Sequence, residues 1–461
     1  MKPGDLKGKR VLVLGLGVHG GGVAVARWLA RQGARVSVSD TKTTPELAPS
    51  LRALKGLPIT YYLGGAPAPA LLRHTDLIMQ NPAVPRELPF LKKARAAGVP
   101  IANEASLFLD LCPSRLVIGV TGSKGKSTTT ALLGAILKHR YPRTVVAGNI
   151  RDTVMFDALD NITPRTPVVL ELSSWHLEVT GAHRQRLPLA VVTNVLPEHL
   201  NRYKGLADYA KAKANVFRYQ QAGDKVVLNY DNPVTRRFGA SARSRVYWFS
   251  VKGLVPRGSF IKQGVVYWRE VGKTQRLFTL SDLKLHGVHN QANVLAAATA
   301  AHLAGVPVAA IRAAVHSFTG LHDRLELIRQ CRGVDFYNDT TATAPVATQA
   351  ALQALKGRKV VLIAGGADKA LDYRALAKDI RRQVQSLVLL PGTATVKLQK
   401  ALKGFAPMLL AHSMSEAVRL ARLMAKPGGA VLLSPGSASF GLFQHEFDRG
   451  EQFRRAVATL K

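Results

Sequence analysis

At 461 residues the chain is too long for one hydrophobic core, and 47% apolar against 20% charged residues describes folded domains and not disorder. No apolar run reaches the roughly 18 residues of a membrane helix, and the two distant cysteines, Cys112 and Cys331, make neither a disulfide framework nor a zinc site. The net charge of +35 is spread along the chain without a zinc-finger, basic-zipper or RNA-binding pattern, so no nucleic-acid partner is expected, while acidic small-molecule substrates are compatible with it.

The N-terminus, "MKPGDLKGKRVLVLGLG", has a basic start but no cleavable apolar core and reads as a first strand. Further short apolar runs follow: "ARVSVSD", "TDLIMQN", "RLVIGVTG", "TPVVLELSS", "LAVVTNV", "DKVVLN", "RKVVLIAGG", "QSLVLLPG" and "GAVLLSPG". Their nearly continuous apolar character predicts parallel strands covered on both faces. Helical patterns such as "GVAVARWLARQG", "ASLFLDL" and "HNQANVLAAATAAHLAG" lie between several of them. Strand-then-helix repetition predicts α/β domains. One stretch, "RVYWFSVKGLVPRGSFIKQGVVYWRE", breaks the rhythm and is expected to form antiparallel ribbon. The expectation is an α/β chain of three domains: Rossmann-like over 1–112, P-loop-ATPase-like over 113–320, and Rossmann-like over 321–461.

Two loops point to phosphate. Gly15-Leu16-Gly17-Val18-His19-Gly20 follows a strand, opens a helix and is followed by Asp40, a dinucleotide-type loop with an acid placed for a ribose. Thr121-Gly122-Ser123-Lys124-Gly125-Lys126-Ser127-Thr128 also joins strand to helix, although Val120 stands where a Walker motif starts with glycine. Glycines there let backbone N–H groups face phosphate oxygens at a helix N-terminus, with Lys126 on the terminal phosphates and Ser127 on Mg²⁺. A dehydrogenase has no use for the second loop, whereas a ligase acting on a nucleotide-linked substrate uses both.

In order along the chain, "GLGVHGGG", "SDTK", "GVTGSKGKSTTT", "AGNI", "LELSSWHLE", "TNVLPEHLNRY", "YAKAKANVF", "GVHNQANVLAAA", "GLHDRLE", "YNDTTAT", "AGGADK" and "LLSPGSASFGLFQHEFDRG" resemble the motifs of the Mur ligases of peptidoglycan synthesis. The resemblance implies ATP and Mg²⁺ as cofactors, UDP-N-acetylmuramoyl-L-alanine and glutamate as substrates, an acyl-phosphate intermediate, and a cytoplasmic monomer. It implies a UDP-substrate site of Gly17, Val18, His19, Asp40, Thr41, Lys42, Asn81 and Asn149. It implies ATP contacts from Gly122 to Thr128, Asn290, Arg324 and Asp339, and an amino-acid site of Thr343, Lys369, Ser439 and Phe440. Lys126, Glu171, His199 and Lys213 become the catalytic set, with Ser127, Glu171, His199 and a carbamylated Lys213 at the metal. An ammonium cannot bind Mg²⁺, so Lys213 must first lose a proton and take up CO₂, which a depressed pKa favours. Domain closure about a hinge near Gly320 is expected to exclude water.

Three positions depart from the family pattern: His19, Thr341 where a lysine is usual, and Glu446 beside the glutamate pocket. They leave D- and L-glutamate both open. Other Mur steps, folyl-polyglutamate synthesis, a nucleic-acid-binding P-loop ATPase and a silent nucleotide-binding module are the competing readings.

Overall fold

The computed structural model describes residues 3–17, 20–150, 155–199, 202–285, 287–369 and 371–460. It holds three sheets. The first contains β1 (Arg10–Leu14), β2 (Arg35–Asp40), β3 (Ile59–Leu63), β4 (Leu77–Gln80) and β5 (Ile101–Ala102), in the order β3-β2-β1-β4-β5 with every pair parallel. The second contains β6 (Val117–Thr121), β7 (Val145–Gly148), β8 (Val168–Glu171), β9 (Leu189–Val192), β10 (Lys225–Asn229), β11 (Arg245–Ser250), β12 (Gly258–Lys262), β13 (Val265–Glu270) and β14 (Lys273–Thr279), ordered β14-β13-β12-β11-β10-β9-β6-β8-β7. The third contains β15 (Glu326–Cys331), β16 (Val334–Asn338), β17 (Val360–Gly365), β18 (Val384–Leu390), β19 (Met408–Leu410) and β20 (Ala430–Leu433), ordered β15-β16-β20-β17-β18-β19. Contacts divide the chain into two compact units, residues 1–283 with 289–317, and residues 284–288 with 318–461. No helix among the described residues is long and apolar enough to cross a membrane.

The strands that read as continuous apolar runs are the ones buried on both faces: every residue of β8, β9 and β17 is buried. The expected antiparallel ribbon is corrected in part. β11 runs parallel to β10, and β12 runs parallel to β11. In this part of the second sheet the antiparallel pairs are β12 with β13 and β13 with β14. The seven residues between β11 and β12 carry the chain back to the starting end of the sheet, which alternation within each strand could not reveal. Within the first unit the two sheets share one core, in which Trp28 lies 4.8 Å from Phe156, and Phe108 meets the same ring edge-on at 6.4 Å.

The loop after β1 owes its shape to Asp40, which ends β2. One carboxylate oxygen accepts from the backbone N–H groups of Leu16 (2.8 Å) and Gly17 (3.0 Å), and the other from Lys42 N (2.9 Å). Gly22, near the start of helix α1 (Gly21–Arg31), lies so close to the loop that a β-carbon would stand 2.3 Å from Leu16 O. Replacing Asp40 with alanine removes the acceptor of three backbone N–H groups. The expected loss is about 2–3 kcal/mol in urea unfolding, and Asp40→Asn, which keeps one acceptor oxygen, loses less.

Candidate active site

In the second sheet β6 lies between β8 and β9, so the loops leaving the carboxyl ends of all three strands are neighbours. β6 runs into the phosphate loop and then into α2 (Lys126–Lys138). A β-carbon on Gly122 would sit 1.9 Å from Thr193 Oγ1, and one on Gly125 would sit 2.0 Å from Asn293 Oδ1. Both glycines have positive φ, 153° and 85°. Only glycine lets this loop thread between the segment after β9 and the helix that carries Asn293. Three helices complete the surroundings: α3 (Ser174–Ala182), α4 (Leu206–Ala214) and α5 (Val288–Leu303), which carries Asn293.

The loop is fastened along its length. Ser123 N donates to Asn194 O (2.9 Å), and Lys124 N donates to Asn194 Oδ1 (2.9 Å). Asn194 Nδ2 and Thr193 Oγ1 both donate to Lys124 O, at 3.0 and 2.6 Å. Leu196 N donates to Ser123 Oγ at 2.9 Å, and Lys124 forms an ion pair with Glu198. Lys126 Nζ donates to Ser123 O (3.0 Å), so the phosphate-loop lysine is folded over its own loop. Asn293 Nδ2 donates to Asn290 Oδ1 at 3.3 Å, placing the expected adenine-side residue one turn from the side chain packed on Gly125.

Lys213, near the end of α4, is only 1% exposed. Its Nζ donates to Gly122 O at 2.7 Å and lies 4.5 Å from the centre of the Tyr209 ring. Burial first, and then the neighbouring Lys126, push its pKa down to about 6, against the opposing pull of Glu198 and Glu171. Glu171 ends β8 at 1% exposure, and Asn149 Nδ2 donates to its Oε1 at 3.3 Å. Asn149 N also donates to Glu171 O at 2.9 Å, beside Gly148. His199 is exposed at φ 55°, its ring 5.6 Å from Trp175 and 6.0 Å from Tyr209. Desolvation, then Lys213, Lys126 and Lys124, hold its imidazole below the usual value, with Glu198 opposing. Lys126, Glu171, His199 and Lys213 therefore share one electrostatic neighbourhood. No cluster of three or more His, Cys, Asp or Glu side chains suited to a metal occurs among the described residues. Glu171 and the Ser127 hydroxyl offer oxygen to a hard cation, whereas Lys213 as an amine or ammonium offers none.

At the first sheet, Asn81 follows β4. Its N donates to Leu14 O (3.0 Å), and its side chain packs against Gly15 and Gly17. Thr41 is exposed and Lys42 half-buried beside the same loop, while Val18 and His19 lie outside the described residues. Asp40 is engaged with backbone N–H groups, so its first role here is to shape the loop. Glu104 was not singled out from the sequence. It lines a small cavity with Gly15, Gly21 and Asn81, its carboxyl pushed up to about 7 chiefly by burial.

The second unit carries the remaining candidates. Asp339 is buried, accepts from Leu325 N (3.1 Å) and Ser434 Oγ (2.7 Å), and is pushed up to about 7 mainly by desolvation. Arg324 is exposed between two non-glycine residues of positive φ, Asp323 (64°) and Leu325 (45°). Thr343 is half-buried, Ser439 buried, and Lys369 and Phe440 exposed. Thr341, at the lysine position of the family, donates its hydroxyl to Asp323 O (2.9 Å). Arg449 was missed in the sequence because a buried arginine has no local pattern. Fully buried, it donates to Thr340 Oγ1 (3.0 Å), Thr340 O (2.8 Å) and Ser437 O (3.3 Å), and so ties the segment after β16 to the segment after β20. Asn194 and Asn293 were missed for the opposite reason, since an asparagine at a strand end or on a helix is too common to stand out.

Three family descriptions match in order: the Mur ligase MurD-like N-terminal domain over residues 9–103, the Mur ligase middle domain over 120–301, and the Mur ligase glutamate ligase domain over 323–436. The UDP-N-acetylmuramoylalanine–D-glutamate ligase of Roseiflexus sp. (strain RS-1) is 45% identical across 99% of this chain and 100% of its own length. The enzyme of the same name from Symbiobacterium thermophilum is 40% identical across 98% of both. In fold, the crystal structure of UDP-N-acetylmuramate-alanine ligase from Thermotoga maritima covers 98% of this chain and 100% of that chain with a TM-score of 0.61 at 22% identity. The ordered domain matches and the full-length likeness carry one conclusion: the chain belongs to the Mur ligase family.

Proposed function

We propose that this chain joins D-glutamate to UDP-N-acetylmuramoyl-L-alanine at the expense of ATP. Full-length relatives at 45% and 40% identity carry that activity in their names, and the observation that bears the most weight is chemical. A buried lysine whose amine is held near neutrality hydrogen-bonds to the phosphate loop beside a buried glutamate.

In this reading Gly122 to Thr128, Asn290, Arg324 and Asp339 take ATP. Gly17, Val18, His19, Asp40, Thr41, Lys42, Asn81 and Asn149 receive the UDP-sugar end, Asp40 by holding the loop N–H groups in place. Thr343, Lys369, Ser439 and Phe440 form the glutamate pocket. ATP phosphorylates the substrate carboxylate, the amine of glutamate attacks the acyl phosphate, and phosphate leaves with formation of the amide. Each stage is anionic, and Lys126 with the α2 N-terminus supplies fixed positive charge. Mg²⁺ would supply further charge neutralisation when held by the Ser127 hydroxyl, Glu171, His199 and Lys213 as its carbamate. As an ammonium Lys213 has the wrong sign for that place. Its neutral form adds CO₂ and releases one proton to give the oxygen ligand that fits. The nucleotide substrates imply cytoplasmic action by a monomer that needs no nucleic acid. Thr341 and Glu446 change the charge beside the glutamate pocket and keep L-glutamate as the second reading.

A ligation assay with UDP-N-acetylmuramoyl-L-alanine and ATP is expected to turn over D-Glu well above L-Glu and D-Asp, with Lys126→Ala inactive. Turnover with none of the three removes the assignment. Lys213 gives a second test. Unfolding in CO₂-depleted buffer lets this amine bind a proton that the folded chain refuses between about pH 6 and the unfolded value. Stability contributed by this group therefore rises with pH across that window. Lys213→Met should be more stable than the parent by about 2 kcal/mol at pH 6.5, the gap closing as pH approaches the unfolded lysine value. Bicarbonate should stabilise the parent and leave the variant unmoved, which thermal melts at several pH values decide.

A further inference from the structure

His199 holds a left-handed backbone conformation (φ 55°), strained for a non-glycine residue and kept only where its surroundings impose it. Its carbonyl accepts from the backbone N–H groups of Arg202 (2.9 Å) and Tyr203 (3.0 Å). The Arg202 side chain is 16% exposed, and its guanidinium reaches two further elements. Nη2 donates to Glu178 Oε2 on α3 at 2.8 Å, and Nη1 donates to Pro82 O, next to Asn81, at 3.4 Å. The guanidinium carbon lies 4.8 Å from the centre of the Trp175 ring, and that indole is the one in contact with the His199 imidazole. One planar cation thus joins the loop after β4, the first turn of α3 and the turn that carries His199. A lysine could form the ion pair but could not also stack and reach the Pro82 carbonyl in the plane of a fork.

We propose that Arg202 is a positioning residue: it fixes the His199 imidazole relative to the Asn81–Pro82 loop, so that the sugar-nucleotide end and the phosphate end of the first unit are aligned by a single side chain. The consequence for turnover rests on the ligase reading above, but the placement of His199 does not. A displacement of the imidazole by an ångström lowers kcat by about 100-fold where the residue works on the reacting groups. The same tie leaves the ATP loop alone, because that loop is held by Asn194 and Thr193.

The geometry also offers a way to separate positioning from mere stability. Arg202 borders a cleft of about 410 Å³ lined by Glu178, Trp175, Pro82, Arg86 and Arg95, open enough for a free guanidinium ion to enter after truncation. The test compares Arg202→Ala, Arg202→Lys and Glu178→Gln with the parent. It records kcat, the KM for each substrate, and the imidazole resonances of the ligand-free protein, with His199→Gln to assign the signal.

In Arg202→Ala the His199 signal should move, kcat should fall by about 100-fold, the KM for the UDP-sugar should rise and the KM for ATP should stay within about twofold. Millimolar guanidinium should return the signal toward its parent position and recover kcat, whereas ammonium should not. Arg202→Lys should resemble the alanine variant more than the parent, and Glu178→Gln, which keeps the oxygen acceptor, should lose least. An unmoved His199 signal in Arg202→Ala overturns the proposal. So does a loss that raises both KM values alike and ignores guanidinium. Should Arg202→Ala not fold, a parent-like signal and kcat in Arg202→Lys overturns it equally. A parent enzyme inactive in ligation sinks the ligase reading, and the resonance comparison still decides the role of Arg202.

Discussion

The two-way pairing between Asn194 and Lys124 is the constraint on which the first unit depends. A strand-end asparagine uses its amide oxygen on the Lys124 N–H and its amide nitrogen on the Lys124 carbonyl, as a neighbouring strand would. The phosphate loop is thereby held in place before any nucleotide arrives, so its ordering need not be drawn from binding energy. This fastening also fixes where the Gly122 carbonyl points, and that carbonyl receives the Lys213 ammonium or amine. A lysine held there, with Lys126 close by, is driven toward neutrality by the same geometry that shapes the phosphate site. One seam accounts for both the preformed loop and the reactive amine.

Legibility from the sequence followed periodicity. Strands whose whole length is buried, such as β8, β9 and β17, stood out as apolar runs bounded by glycine or polar residues. β3 did not, because its residues alternate between half-buried and exposed in a five-residue stretch. β15 escaped notice for a similar reason: only Cys331 is buried, and a register shift interrupts its pairing with β16. The direction of β12 was invisible, since strand alternation reports the face a side chain takes and says nothing of the partner's direction.

The site was legible where one residue type is chemically required at a fixed offset. Gly122, Gly125 and Lys126 follow from what a phosphate needs, and the clearances measured from the two glycines give the same requirement from the packing side. Residues that act by holding others have no such offset. Arg202 and Arg449 each bridge segments far apart in sequence, and what makes them bridges is the fold that brings those segments together. A linear reading sees only two arginines among the many basic residues of a strongly cationic chain.

Asp40 and Asp339 show that an acid in a nucleotide-type motif also has a structural task to perform. Asp40 was read as an acid placed for a ribose and Asp339 as an ATP contact, and both use carboxylate oxygens on backbone N–H groups at the end of a parallel strand. The environments differ. Asp40 satisfies three N–H donors, whereas Asp339 meets one N–H and one hydroxyl, and desolvation pushes it up to about 7. Removing a hydrogen-bonded carboxylate from water is tolerable when enough donors replace the lost hydration, and the protonated form gains when they do not. Asp339 shifts between anchor and acid near neutrality, and its hold on Leu325 N, beside the strained Arg324 turn, weakens as pH falls through about 7. The same residue type at the same kind of strand end thus fastens three N–H groups in the first sheet, and in the third sheet one N–H group whose acceptor titrates near neutrality.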